Sequence, residues 1–327
     1  MPAEHVANAG SPSAAPRPAA IELRGIDKSF GPVHANRNVS LTIAKGSIHG
    51  IIGENGAGKS TLMSILYGFY TADSGEILIN GNPVKIHGSH DAIAAGIGMV
   101  HQHFMLVEPF SVLENVMLGA EGGALLRAGA GKARAELERL ARDFGLNVDV
   151  NAHISDLPVG EQQRVEILKA LFRHCDILIL DEPTGVLTPQ ETDQLFEILR
   201  ALNKRGVTIL LITHKLREIL AITDTVSVMR QGEMVATLPT REATKEQLAE
   251  LMVGRKVRLE LDKGPAKPAE TRLAARGLTV IDSKGVKRVD NVSFELRAGE
   301  IVGIAGVSGN GQSELLEALS GIRHLDA

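Results

Sequence analysis

Tryptophan is absent from this 327-residue sequence, and aromatic residues make up only 3% of it. Nucleic-acid binders usually show a basic stripe or stacking aromatics; a net charge of −4 and so few rings argue against that class. There is one cysteine, Cys175, so no intrachain disulfide can form, and a reducing cytosol suits the chain. No apolar run reaches the roughly 18 residues that a membrane-spanning helix needs. Residues 1–20 are rich in Ala, Pro and Ser and lack the apolar centre of a signal peptide, so they are expected to form a disordered tail. Core material, by contrast, is plentiful. Hydrophobic residues make up 44%, the composition of a soluble globular protein, here expected in the cytoplasm.

A duplicated segment organises the rest. Gly53, Glu54, Asn55, Gly56, Ala57, Gly58, Lys59 and Ser60 fit the phosphate-loop pattern G-x-x-x-x-G-K-[ST] throughout. Gly306, Val307, Ser308, Gly309, Asn310, Gly311, Gln312 and Ser313 fit it except that Gln312 replaces the lysine. At the same offset of 253 residues, positions 38–68 and 291–321 share 14 identities without a gap, including Gly46/Gly299, Gly50/Gly303 and Leu62/Leu315. A duplicated strand–loop–helix unit is expected. The second copy reaches Ala327 shortly after its loop helix, so the sequence reads as one domain and the beginning of another, within a protein of roughly 500 residues.

The pattern predicts short strands over 21–23 and 39–43, a buried strand over 47–52 and a helix over 60–68. From Glu108 onward the pattern turns helical, with Ala133, Leu137, Leu140, Ala141 and Phe144 on one face. Apolar strands over 177–180 and 207–213, separated by a helix over about 190–204, suit a parallel sheet covered on both faces. Charges and Pro265, with Pro268 just beyond, mark 256–267 as linker.

Chemistry concentrates at the first loop. Lys59 can reach β- and γ-phosphates, backbone N–H groups over 55–61 can cradle phosphate at a helix start, and Ser60 can offer a hydroxyl to Mg²⁺. Asp181 and Glu182 follow the apolar 177–180 strand. One carboxylate can hold Mg²⁺, and the other can orient or deprotonate an attacking water; an acidic turn at a strand end is the plainer alternative. His101 and His103 flank Gln102, a weak metal spacing that fits surface contacts better.

On these motifs the chain resembles the ATP-binding subunits of ABC transporters over residues 21–327. The resemblance implies an α/β phosphate-loop NTPase core of the ABC ATPase type, with an antiparallel β subdomain and a helical subdomain at about 108–174, followed by a second, truncated copy. The implied domains are 21–254, a linker over 255–271, and a degenerate domain over 272–327. It makes Phe30 the ring that stacks on adenine and Gly53, Asn55, Gly56, Ala57, Gly58, Lys59, Ser60, Thr61 and Asp181 nucleotide contacts, with Ser60, Gln102 and Asp181 toward Mg²⁺. Glu182, His214 and Gln102 take the catalytic places, 185–188 the D-loop, and 157–163, with Gly160, the signature that faces a partner domain's nucleotide.

Departures from the family pattern matter. Pro158 stands where a signature serine is usual, and proline has no donor. Ser283 falls near the second copy's counterpart of Phe30. With Gln312, these put three weaknesses at one composite site, so one hydrolytic and one degenerate site are expected. Tandem ATPase domains without membrane helices resemble nucleoside and monosaccharide importers, and 99–106, 157–160 and 181–188 look most like the nucleoside branch. The expected role is a peripheral ATPase on the cytoplasmic face of the inner membrane, with ATP and Mg²⁺. Expected partners are permeases docking after Gln102, an extracytoplasmic binding protein acting indirectly and the second ABC domain, with no nucleic acid. A sugar importer is the alternative; a soluble tandem ATPase is a further one, opposed by Gln312 and the charge. Phe104, Met105, Leu106 and Phe110 provide either docking area or subdomain core.

Overall fold

The 48–52 segment of the sequence, Ile-His-Gly-Ile-Ile, carries no charge, and all five residues are buried as a central strand. The structure, a computed structural model, describes residues 17–102, 104–119, 126–256, 264, 266–282, 285–306 and 309–323. It divides into two compact units, Met1–Val257 and Arg258–Ala327.

The first unit opens with a long hairpin, β1 (Ala19–Phe30) and β2 (Val33–Ala44), followed by β3 (Ile48–Ile52) and α1 (Lys59–Leu66). Then come β4 (Ser74–Ile79), β5 (Asn82–Val84), α2 (Ser89–Ala94) and β6 (Ile97–Val100). The helical part holds α3 (Val112–Met117), α4 (Leu126–Phe144) and α5 (Val159–Phe172). The unit continues through β7 (Ile177–Asp181), α6 (Pro189–Lys204), β8 (Thr208–Ile212) and α7 (Leu216–Ile222). It ends with β9 (Thr225–Arg230), β10 (Glu233–Pro239) and α8 (Lys245–Val253).

Two sheets result. β2-β1-β4-β5 are antiparallel, and β10-β9-β3-β8-β7-β6 form a sheet that is parallel except for the β9–β10 hairpin at its edge. Fully buried strands β3, β7 and β8 sit at its centre because uniformly apolar runs need cover on both faces. One core lies toward the helices, through Leu137, Val165, Leu168 and Leu199. The other lies between β3 and the antiparallel sheet, through Ile21, Val39, Ile51 and Leu62.

The first two strands run well beyond 21–23 and 39–43. Register shifts interrupt the β1–β2 ladder, and Gly25 and Asn38 stand at φ 59 and 45, which breaks the alternation that would mark a strand. β1 also starts inside the stretch read as a tail, with Ala19 opposite Ala44; residues 1–16 lie outside the described ones. Between 69 and 108 no element was expected, yet β4, β5, α2 and β6 stand there. The face expected on α4 is the buried one: Ala133, Leu137, Leu140 and Ala141 are buried. Phe144 packs against the same core.

In the second unit, β11 (Thr271–Ile281) and β12 (Lys287–Arg297) form a hairpin against α9 (Gln312–Leu319). Ala275, Leu278, Val280, Val289, Leu315 and Ala318 make its core. Positions 301–306 are exposed and outside any strand, whereas the matching 48–53 stretch is buried. Ser283 and most of the 256–267 linker lie outside the described residues.

Candidate functional site

β3 delivers the chain to Gly53 in a channel too narrow for a side chain: a Cβ there would strike the Met229 carbonyl. Gly58 has φ 98, and a Cβ on it would meet the Ala35 carbonyl, so the loop is threaded between β9 and β2. The Gly232 N–H donates to the Ala57 carbonyl (3.1 Å) and holds the loop's crest. Gly58 caps α1 without any side-chain hydrogen bond. The first-turn N–H groups therefore keep their donors for an anion, where the helix dipole adds attraction.

Lys59 is buried and donates to the carbonyls of Gly53 (2.8 Å) and Glu54 (3.0 Å). Burial pulls its ammonium below the usual lysine range, while Glu182 and Asp181 pull it back up. The loop bounds a cleft of about 680 Å³. Phe30, Asn55, Gly56, Ala57, Gly58, Lys59, Ser60, Thr61, Gln102 and Glu182 all line it. Phe30 is held edge-on by Tyr70, ring centres 5.0 Å apart, lies under Lys28 Nζ at 5.4 Å, and stays 41% exposed.

β7 ends on Asp181, whose carboxyl is buried. Burial raises it above the ordinary aspartate value, the Ser60 hydroxyl lowers it, the Glu182 charge raises it again and Lys59 lowers it. Its Oδ1 has no hydrogen-bond partner. A buried carboxylate oxygen beside a hydroxyl and without a donor suits a small hard cation. Glu182 has φ 47, a left-handed conformation that costs a non-glycine residue of order 1–3 kcal/mol. Its N–H donates to the Ile212 carbonyl (2.9 Å), and its Oε1 lies 3.0 Å from His214 Nδ1. The turn thus aims Glu182 into the cleft while His214, from the end of β8, meets it from the side.

Gly53, Asp181, His214 and Gly160 do not line the cleft, but the first three bond to residues that do: Gly53 to Lys59, Asp181 to Ser60 and His214 to Glu182. Gly160 lies in the first turn of α5, where a Cβ would come 2.6 Å from Glu191 Oε1. Pro158 is the N-cap of that helix and supplies no side-chain cap. Thr188 caps α6 with a reciprocal Glu191 bond. The four apolar residues after Gln102 divide: Leu106 packs on the helical core, Phe104 is half-buried, and Met105 (57%) and Phe110 (38%) are exposed. The His101 ring packs against Tyr67 and Phe69; His103 lies outside the described residues.

Two groups escaped the sequence reading. His34 and Arg37 also line the cleft, with His34 Nε2 2.9 Å from Asp27 Oδ1. Behind the site, Thr184 Oγ1 donates to Glu218 (2.7 Å), while Lys215 Nζ donates to the Thr184 carbonyl (2.8 Å). Lys215 Nζ also pairs with Glu218 (3.3 Å). This set, with Thr184 and Glu218 buried and Lys215 partly exposed, pins the turn after Glu182 to the turn carrying His214. No local pattern marks either group, because each forms only when distant strands meet.

Residues 36–185 match the family model described as ABC transporter. The chain is 48% identical, over 94% of its length and 60% of the relative's, to the guanosine import ATP-binding protein NupO of Bacillus subtilis. It is 46% identical, over 94% of its length and 61% of the relative's, to the glucose import ATP-binding protein TsgD13 of Haloferax volcanii. The chain therefore spans about three fifths of each relative. A nucleotide-free ATP-binding cassette from an ABC transporter superposes with a TM-score of 0.62 at 25% identity, covering 72% of this chain and 95% of that one.

Proposed function

We propose that this chain, whose residues 36–185 match the ABC transporter family model, is the ATP-hydrolysing part of a nucleoside importer. The observation that carries the reading is the cleft itself. A buried lysine and an uncapped helix start face it, with a partnerless aspartate oxygen beneath and the Glu182–His214 pair at its end. Phe30 stacks on the adenine, and Asn55, Gly56, Ala57, Gly58, Lys59, Ser60 and Thr61 hold the phosphates. Ser60 and Asp181, with Gln102, are the residues that would hold Mg²⁺, which would supply positive charge against the phosphates. Glu182 orients the attacking water and takes its proton, and His214 contacts the γ-phosphate.

The relatives' names support import and leave the cargo between nucleosides and sugars; a monosaccharide importer is the second reading. Domains over 21–254 and 272–327, joined by a linker over 255–271, complete the proposal, with the second a degenerate copy. In its support, α9 begins after Gly311 in the left-handed conformation, as α1 does after Gly58. A Cβ on Gly306 would strike the Gln312 carboxamide, which thus lies over that loop. Gly160 and Pro158, the weak signature, serve a partner domain's nucleotide. Permeases dock at the groove beside Met105, the binding protein acts through them, and the assembly sits on the cytoplasmic face of the membrane.

Glu182→Gln in the full-length protein is expected to lower ATP turnover by about 10²–10⁴-fold with ATP affinity retained. Unchanged turnover would remove Glu182 from the mechanism. In the assembled importer, stimulation of that turnover by nucleosides and not by monosaccharides supports the first reading; the converse selects the second.

A further inference from the structure

The helix that begins at the Val159–Gly160 turn grips backbone outside itself along its length. Near its start, Gln163 Nε2 donates to the Pro183 carbonyl (2.8 Å), next to Glu182. In its middle, Glu166 Oε1 accepts the Met105 N–H at 2.6 Å. One turn on, Lys169 Nζ donates to the Met105 carbonyl at 2.8 Å. Both polar groups of a single residue are thus held by an i, i+3 pair on one helix face.

Met105 is also the residue whose side chain reaches out of the 104–107 stretch, 57% exposed, into a groove of about 370 Å³ that Glu166 and Lys169 themselves line. Satisfying one N–H does not need an ion. A neutral acceptor would serve, whereas burying a carboxylate, as Glu166 is buried, carries a desolvation cost. Burial raises the Glu166 carboxyl, and Lys169, the Met105 N–H and Arg173 pull it down again, so the pair works as a unit. A costly two-point charged grip on an exposed, groove-lining residue is what a mechanical joint requires, since a stiff helix then moves with the residue it holds.

We propose that Glu166 and Lys169 are a positioning pair that locks Met105 to α5, so that a membrane subunit pressing into the groove moves the Val159–Gly160 helix start. The proposal rests on the importer reading above. The grip leaves the cleft residues untouched, so it governs how partner binding alters turnover rather than nucleotide affinity.

The experiment compares ATP turnover of the full-length protein alone with that of the protein assembled with its membrane subunits in liposomes. Glu166→Ala and Lys169→Met are expected to cut the assembled-to-free ratio about ten-fold, the size of one charge-assisted hydrogen bond, while ATP affinity stays within about two-fold. Lys169→Arg, which keeps a charged donor for Met105, is expected to restore the ratio, and Glu166→Gln, which keeps only an uncharged acceptor, to recover part of it. Lys169→Met preserves the aliphatic stem, so an unchanged ratio in this variant alone overturns the proposal. It is likewise overturned if the Gln and Arg variants fail as badly as those lacking the grip. If the unmodified protein binds no ATP, the importer reading falls instead.

Discussion

His49 stands in β3 just before the phosphate loop, buried, with Nε2 2.8 Å from the Ser227 hydroxyl. Burial pushes its imidazole from 6.5 down to about 4, so it is neutral in the folded protein at neutral pH. The unfolded chain takes up a proton near pH 6.5, and the folded one only near 4. The stability that this contributes is therefore whole above 6.5 and is lost as pH falls through that window. Between pH 7 and 5 the loss from this one group is of order 2 kcal/mol. His49→Gln keeps a polar partner for Ser227 without titrating. Urea unfolding at both pH values is expected to show a shallower acid loss in the variant by that amount, and equal losses would remove His49 from the acid response. Among the cleft residues, legibility followed sequence contiguity. The 53–61 loop and the Asp181–Glu182 pair announce themselves because neighbouring residues do the chemistry together. His34, Lys215 and Glu218 gave no sign, since their partners Asp27 and Thr184 come close only through folding.

Among the elements, α4 shows what periodicity can carry: its apolar stripe of Ala133, Leu137, Leu140 and Ala141 is buried against the helical core. Leu137 is fully buried there, in one cluster with Val165 and Leu168 of α5. Leu137→Ala is expected to cost about 2–5 kcal/mol, measured as a lowered urea midpoint, because neighbouring helices close only part of the cavity. A loss under about 1 kcal/mol would mean that α4 packs loosely and could not brace α5. The β1–β2 hairpin marks the opposite case. Its bulges at Gly25 and Asn38 erase the two-residue period, so only the uninterrupted pieces read as strands. β6 went unread because four residues, Ile97–Val100, are too few to separate from a loop until they pair with β7.

At the scale of the molecule, two units of very different size carry the two loops. The first unit buries an extensive core on both faces of its parallel sheet. The second buries Ala275, Leu278, Val280, Val289, Leu315 and Ala318, while Ile301 (89%), Ile322 (79%) and Leu316 (57%) are exposed. Apolar residues left in water contribute nothing to burial, and a core this small rarely supplies more than about 3–5 kcal/mol. Opening of the second unit should therefore need far less free energy than opening of the first. Hydrogen exchange on this chain is expected to show β11 and β12 amides exchanging at least about 100-fold faster than those of β3, β7 and β8, a gap of roughly 3 kcal/mol or more. Equal protection in both units would mean that the hairpin draws stability from beyond its own small core, and the two loops would then have to be treated as one cooperative body.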